Sequence, residues 1–191
     1  MWFEKKIVLK LTEFEDQFPI EVLNSWDVTE LEIIGGNFSY FPEDISILKK
    51  LKRLSLVSTK INSIPKELFE LPELVYLNLK NNQLSELPIL TKKARIKTLI
   101  LGRNGIKSVD QALPCLVDMM TLDIGHNKLS AISDNFYLLK KLQRLNLDSN
   151  NLKTVPAFVK NMQELSHLSI DNNPFSASEK ARIERELNIS L

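Results

Sequence analysis

Asp148 and Asp171 are the residues of this chain whose type and spacing come nearest to chemistry. They lie 23 positions apart, with Asp123, Asn146, His167 and Asn172 at related offsets. If that offset stacks them in neighbouring strands, their carboxylates stand about 5 Å apart. Like charges at that range repel, so the pair would either take up a cation or stay solvated with one carboxyl shifted in its titration. The motifs of other chemistries are missing: no G-x-x-x-x-G-K-[ST], G-x-G-x-x-G, H-E-x-x-H or G-x-S-x-G occurs. Only five glycines occur in 191 residues, so a loop that cradles phosphate is not expected, and Gly35-Gly36 reads as a structural turn. The single cysteine, Cys115, has no His or Asp placed beside it and reads as a packing residue. One cysteine excludes an intramolecular disulfide and fits a reducing compartment. No catalytic residue and no cofactor is expected.

The offset that aligns the two aspartates is the period of the whole chain. The pattern L-x-x-L-x-L-x-x-N-x-L-x-x-L-P begins at Val28, Leu51, Leu74, Ile96, Met119, Leu142 and Leu165, at intervals of 23, 23, 22, 23, 23 and 23 residues. Its clearest copies are Leu74–Pro88, LVYLNLKNNQLSELP, and Leu142–Pro156, LQRLNLDSNNLKTVP. Within each copy the pair Leu-x-Leu alternates at period two, which sends both leucines to one side of a strand. One copy cannot bury them alone, whereas stacked copies share a continuous core. Burying each leucine contributes roughly 1.5–3 kcal/mol. An inward Asn column follows at Asn82, Asn104, Asn127, Asn150 and Asn173, suited to bonding backbone groups of the turns. Gly36 and Thr59 replace Asn in the first two copies, which predicts a weaker ladder and looser turns there. Behind each strand apolar residues recur at helical spacing, as in Ile64, Leu68 and Leu71, with Pro42, Pro65 or Pro156 suited to a first helical position. The copy containing LPILTKKARIK is one residue short, which predicts an irregular segment at 88–95.

On these copies the sequence resembles the leucine-rich-repeat superfamily, and within it the 23-residue intracellular, scribble-like or bacterial type. The resemblance implies an α/β solenoid: a right-handed horseshoe with a concave sheet and short convex helical or 3-10 segments. It implies no enzyme, but an interaction scaffold that binds a partner protein or peptide on the concave face. The alternatives are a regulatory subunit of an enzyme such as a phosphatase, or a secreted bacterial repeat protein acting on a host partner. Three parts follow: a cap over residues 1–27 with one degenerate strand and a short helix near 19–26, seven repeats over 28–175, and a C-terminal capping helix over 176–191. Ile7, Leu9 and Leu11 alternate in the cap, and Leu9 aligns with Leu31 at an offset of 22. Ser176 to Glu179 reads as a capping box, and Ile183 and Leu187 can cover the last repeat.

Binding should fall to side chains that the fold leaves unused. The outward columns place Ile34, Val57, Tyr76 and Ile100 in an apolar zone with Met120 nearby, candidate anchors of an interface. Arg53, Lys80, Arg103 and Arg144 flank it, and Asn78, Asp123 and Asn146 continue the face. Gly102 and Gly125 would leave a dip. Eight strands span about 35–40 Å. That strip, on the order of 400–500 Å² in projection, is smaller than a standard interface of roughly 800 Å² per partner. A partner must therefore engage the rims too, or be a peptide. Lys49, Lys50, Lys52, Lys92, Lys93, Arg95, Lys140 and Lys141 all precede strands and predict a basic rim. The net charge of +1 implies neither nucleic acid nor membrane as partner. It hides an asymmetry of −7 over residues 1–48 against +8 beyond, which permits head-to-tail contact between copies where a monomer is otherwise expected. The first apolar stretch is broken by Lys10 and followed by acids, so it reads as neither signal peptide nor membrane span. A cytoplasmic setting is expected, with specialised secretion left open.

Overall fold

The computed structural model describes residues 5–187. Eight strands form one sheet in chain order, every neighbouring pair parallel. They are β1 (Lys6–Lys10), β2 (Glu30–Ile34), β3 (Arg53–Val57), β4 (Tyr76–Asn78), β5 (Thr98–Ile100), β6 (Thr121–Asp123), β7 (Arg144–Asn146) and β8 (His167–Ser169). Parallel strands need a crossover between them, and here each crossover is one coil of the repeat. The inward leucines are sealed: Leu54, Leu56, Leu77, Leu79, Leu99, Leu101 and Leu147 have no exposed surface. The residues between them are half exposed.

The coils return through 3-10 turns at Ile20–Asn24, Glu43–Ile47, Lys66–Glu70, Leu113–Cys115, Asp134–Leu138 and Ala157–Asn161. Pro42, Pro65 and Pro156 cap these turns from one residue before them, so the first-helical-position expectation is out by one. Residues 88–97 contain no helical turn, as the shortened copy predicts. There the Ala94 N–H donates to the Cys115 carbonyl at 2.8 Å, and the Cys115 thiol to the Leu90 carbonyl at 3.4 Å.

Five asparagines run through the turns as a ladder. Each side-chain NH2 donates to carbonyls of its own coil and of the preceding one, as Asn127 does to Ile124 (3.0 Å) and Leu101 (3.1 Å). Each Oδ1 accepts a backbone N–H of the preceding coil, as from Ile106 to Asn127 at 2.9 Å. In the first two copies Gly36 brings no side chain to the ladder, and Thr59 stands in for Asn in the second. Thr59 is fully buried, and both its N–H (3.0 Å) and its hydroxyl (2.8 Å) donate to Asn82 Oδ1. Strands β1 to β3 pair over five residues each, whereas β4 to β8 have three.

The N-terminal strand joins the sheet in a register that differs from the expected one. Leu9 lies beside Ile33, and Ile7 beside Leu31. A slip of two residues keeps every side chain on its face, so alternation alone cannot choose between the two registers. The turn after β2 decides it: the Leu11 N–H donates to the Ile34 carbonyl at 2.8 Å. At Gly35, with φ of +83°, an added Cβ would fall 2.2 Å from the Leu11 carbonyl oxygen. Phe18 closes this end, packing edge-on against Phe38 and Phe41 at centroid distances of 5.7 and 4.7 Å.

At the other end stands α1 (Ala177–Leu187), with Ile183 buried beneath it. Half of the expected capping box forms, the Glu179 N–H donating to Ser176 Oγ at 3.1 Å. The Glu179 carboxylate turns away, accepting the Val155 N–H at 2.8 Å and the Arg182 guanidinium at 2.6 Å. This pins the helix to the coil before it. No helix among the described residues is long and apolar enough to cross a membrane.

Candidate functional site

The outward face of the sheet collects most of the candidate residues, and it divides into three zones. At the N-terminal end the Arg53 guanidinium lies 3.8 Å over the Tyr76 ring, with its Nε 3.6 Å from Glu30. The Lys6 ammonium lies 3.7 Å from Glu30 and 3.5 Å from Glu32. These side chains, with Ser55 and Asn78, line a hollow of about 250 Å³. Tyr76 is therefore already stacked, and its ring is held rather than free. Lys6 was not foreseen as part of this face. Its signal was present in the alternation Lys6-Ile7-Val8-Leu9-Lys10, once the strand is placed in its true register.

The middle zone is neutral. Thr98, Ile100, Met120 and Thr121 are half exposed there, whereas the half-exposed pair Ile34 and Val57 lies side by side on β2 and β3, with β4 between it and Ile100. Gly102 lets the backbone lie low, and a Cβ placed on it would meet the Asp123 carboxylate at 3.5 Å. Lys80 and Arg103 stand exposed just beyond the strand ends.

The C-terminal zone is polar and holds the larger hollow, about 750 Å³, which wraps the edge strand β8. Its polar wall includes Asp123, Arg144, Asn146, His167 and Ser169, and its apolar wall Val159, Met162, Leu165, Leu168 and Leu187. The sequence assigns those apolar residues to the core. Leu165 and Leu168 keep partial exposure because no further coil among the described residues stacks on β8.

Several candidates have structural tasks. The side-chain oxygens of Asn78, Asp123 and Asn146 accept the N–H two residues ahead, from Lys80 (3.0 Å), Gly125 (3.1 Å) and Asp148 (2.9 Å). Those amides point outward from the ends of the short strands, where the next strand cannot reach them. Asp148 Oδ1 accepts from the Ser169 hydroxyl at 2.6 Å and the Asp171 N–H at 2.8 Å. The Asp148 carboxylate is thus bound to the backbone rather than repelling Asp171 across open space. No group of three or more His, Cys, Asp or Glu side chains arranged to hold a metal is found among the described residues.

The rim before the strands is more compensated than its lysines suggest. Lys92 pairs with Glu70 at 2.7 Å, while Lys93 and Lys141 both reach Asp118 at 2.6 Å. Hydrogen bonds from Lys141 and then Lys93 hold the Asp118 carboxyl down at about 2. Lys50 lies over the Trp26 ring, and Lys140 over Tyr137.

A coil of 23 residues with a parallel inner sheet, an Asn ladder and 3-10 returns defines a solenoid repeat protein. The family comparison is equally direct: the leucine-rich-repeat model matches residues 49–89, 94–152 and 119–175, so the chain belongs to the leucine-rich-repeat family. A search of curated protein sequences finds no match. Among solved structures it is similar to a leucine-rich-repeat protein of Leptospira interrogans, with 27% identity, a TM-score of 0.65 and coverage of 88% of this chain and 49% of that one. It is similar to the ectodomain of the plant receptor kinase GASSHO1/SCHENGEN3 of Arabidopsis thaliana, at 24% identity and a TM-score of 0.68, covering 88% of this chain and 21% of that one. It is also similar to the protein of the TLR13–ssRNA13 complex, at 25% identity and a TM-score of 0.72, covering 92% and 26%. The chain thus spans about half the length of the first of these, and about a quarter or less of the other two. The leucine-rich-repeat fold is generally a protein-interaction module.

Proposed function

We propose that the chain is a non-enzymatic scaffold that binds a protein or peptide partner on its concave face. The observation that carries this reading is the division of labour along strands β2 to β7: inward residues are sealed, while the outward ones stay at least partly exposed. Support comes also from the large hollow beside β7 and β8, which sets polar and apolar walls together as recognition sites do. One similar structure is of a complex with CASPARIAN STRIP INTEGRITY FACTOR 2, and another of a complex with ssRNA13. A protein or peptide suits this concave face better than a nucleic acid. Glu30, Glu32, Asp123, Asp148 and Asp171 there balance Lys6, Lys80, Arg53 and Arg144, and a polyanion needs a surplus of positive charge. A cytoplasmic setting is part of the same reading and rests on the lone, half-buried thiol of Cys115.

The test is quantitative partner capture by the wild type, by the double variant Tyr76→Asp, Ile100→Asp, and by the convex control Asn161→Asp. None of these side chains is fully buried, so circular dichroism should show an intact fold. The concave variant should lose at least one partner that the control retains. Equal recovery by all three proteins refutes the concave assignment.

A further inference from the structure

The two long rims of the solenoid differ in how their charge is used. On the rim before the strands, Asp27, Glu73, Asp118 and Glu164 alternate with the lysine-bearing coils, and Lys92, Lys93 and Lys141 are held in ion pairs with Glu70 and Asp118. The opposite rim is made by the turns after the strands, of which those after β3 to β7 are residues 57–63, 80–86, 102–108, 125–131 and 148–154. These turns carry six basic residues, Lys60, Lys80, Arg103, Lys107, Lys128 and Lys153, against two acids, Glu86 and Asp148. All six basic side chains are exposed, and among the described residues none of them has an ion-pair partner. Asp148 is turned onto Ser169 and the Asp171 N–H instead.

We propose that this rim docks an extended acidic peptide segment running from coil to coil. Coils repeat at about 5 Å, so Lys107 and Lys153, two coils apart in one column, stand about 10 Å from each other. Lys60 and Lys153 bound a strip about 20 Å long, the length of roughly six extended residues. Six like charges on one edge raise the local potential and attract an acidic chain, and polar neighbours such as Asn81, Gln83, Ser85, Ser108 and Asn151 can bond its backbone. A single-stranded nucleic acid fits less well, because such binding combines charge with aromatic platforms for the bases. These turns contain no Phe, Tyr or Trp. The strip borders the concave face at Lys80 and Arg103 but shares no residue with the lining of the two hollows, so neither reading carries the other.

Fluorescence anisotropy with a labelled peptide of roughly six glutamates tests the inference. Three proteins are compared: wild type, the triple variant Lys107→Glu, Lys128→Glu, Lys153→Glu, and a control with the same charge change on the other rim, Lys92→Glu, Lys93→Glu, Lys141→Glu. A single-stranded oligonucleotide of equal length is the second ligand. Wild type should bind the peptide more tightly than the oligonucleotide and more weakly as salt rises. The triple variant should lose at least about tenfold in affinity, while the control loses less than about threefold. Equal losses in the two variants would reduce the effect to net charge and overturn the assignment. So would no measurable binding of the peptide by wild type, or tighter binding of the oligonucleotide than of the peptide.

Discussion

Replacing Asn82 by alanine should destabilise the protein more than replacing Asn127, although Asn127 sits in the more regular part of the ladder. The bonds explain the order. Asn127 donates to the carbonyls of Leu101, Ile124 and Gly125. Each keeps another donor after truncation: Leu101 from Asn104, Ile124 from Asn150 and Gly125 from the Arg103 N–H. Only the Ile106 N–H loses its acceptor. One stranded buried amide costs roughly 1–3 kcal/mol, and the weakened carbonyls add a little, so Asn127→Ala should cost about 2–3 kcal/mol. Asn82 Oδ1 instead accepts from the Thr59 N–H, the Thr59 hydroxyl and the Ile61 N–H. Its NH2 is the only ladder donor to Leu56 O, because Thr59 has no amide to offer. Stranding that set, beside a Thr59 with no exposed surface, should cost about 3–5 kcal/mol. Urea unfolding followed by far-UV circular dichroism measures both values. Because coils touch only their neighbours, Asn82→Ala should also lower the slope of the transition, as the N-terminal coils unfold first. Adding Thr59→Val to Asn82→Ala should recover about 1 kcal/mol, since it removes the stranded hydroxyl. A cost for Asn82→Ala no greater than for Asn127→Ala would refute the accounting.

Two further outcomes follow from local geometry. His126 holds a left-handed backbone, φ 56°, which strains a residue with a Cβ by roughly 1–2 kcal/mol. His126→Gly should therefore raise stability by about 0.5–1 kcal/mol after glycine's entropy loss is subtracted. Asn172→Gly, also at φ 56°, should gain less, because Asn tolerates this conformation; equal gains in urea midpoints would contradict the strain argument. Asp118 titrates near 2 when folded, against 3.8 for its ordinary value. Its contribution is thus present above about pH 4 and lost as pH falls through 2. Asp118→Asn should be less stable than wild type at neutral pH, with the gap shrinking as pH falls from about 4 and closing only below about 2, and narrowing in high salt. A gap unchanged with pH would show that the two lysine contacts add nothing to stability.

Much of the fold was legible because the repeat writes the same physics seven times. Alternating leucines, the Asn column and the helical spacing behind them each follow from one coil, and stacking follows from their need for burial. The concave columns were legible for the same reason, since a side chain between two sealed leucines must face out. The register of β1 was not, because period-two alternation is indifferent to a slip of two residues. The C-terminal hollow was not either. Leu165 and Leu168 match the core pattern, and only the absence of a further stacked coil in the described structure leaves them half exposed.

By itself the sequence determined the period, the inward and outward faces and the shortened coil at 88–95, since these depend on residue type at fixed offsets within one coil. The tertiary structure alone decided that Lys92, Lys93 and Lys141 of one rim are paired, that Asp148 bonds the backbone rather than repelling Asp171, and that Thr59 bonds Asn82. Those outcomes depend on contacts between coils, and a side chain's partner 21 to 25 residues away is set by the angle at which the coils stack.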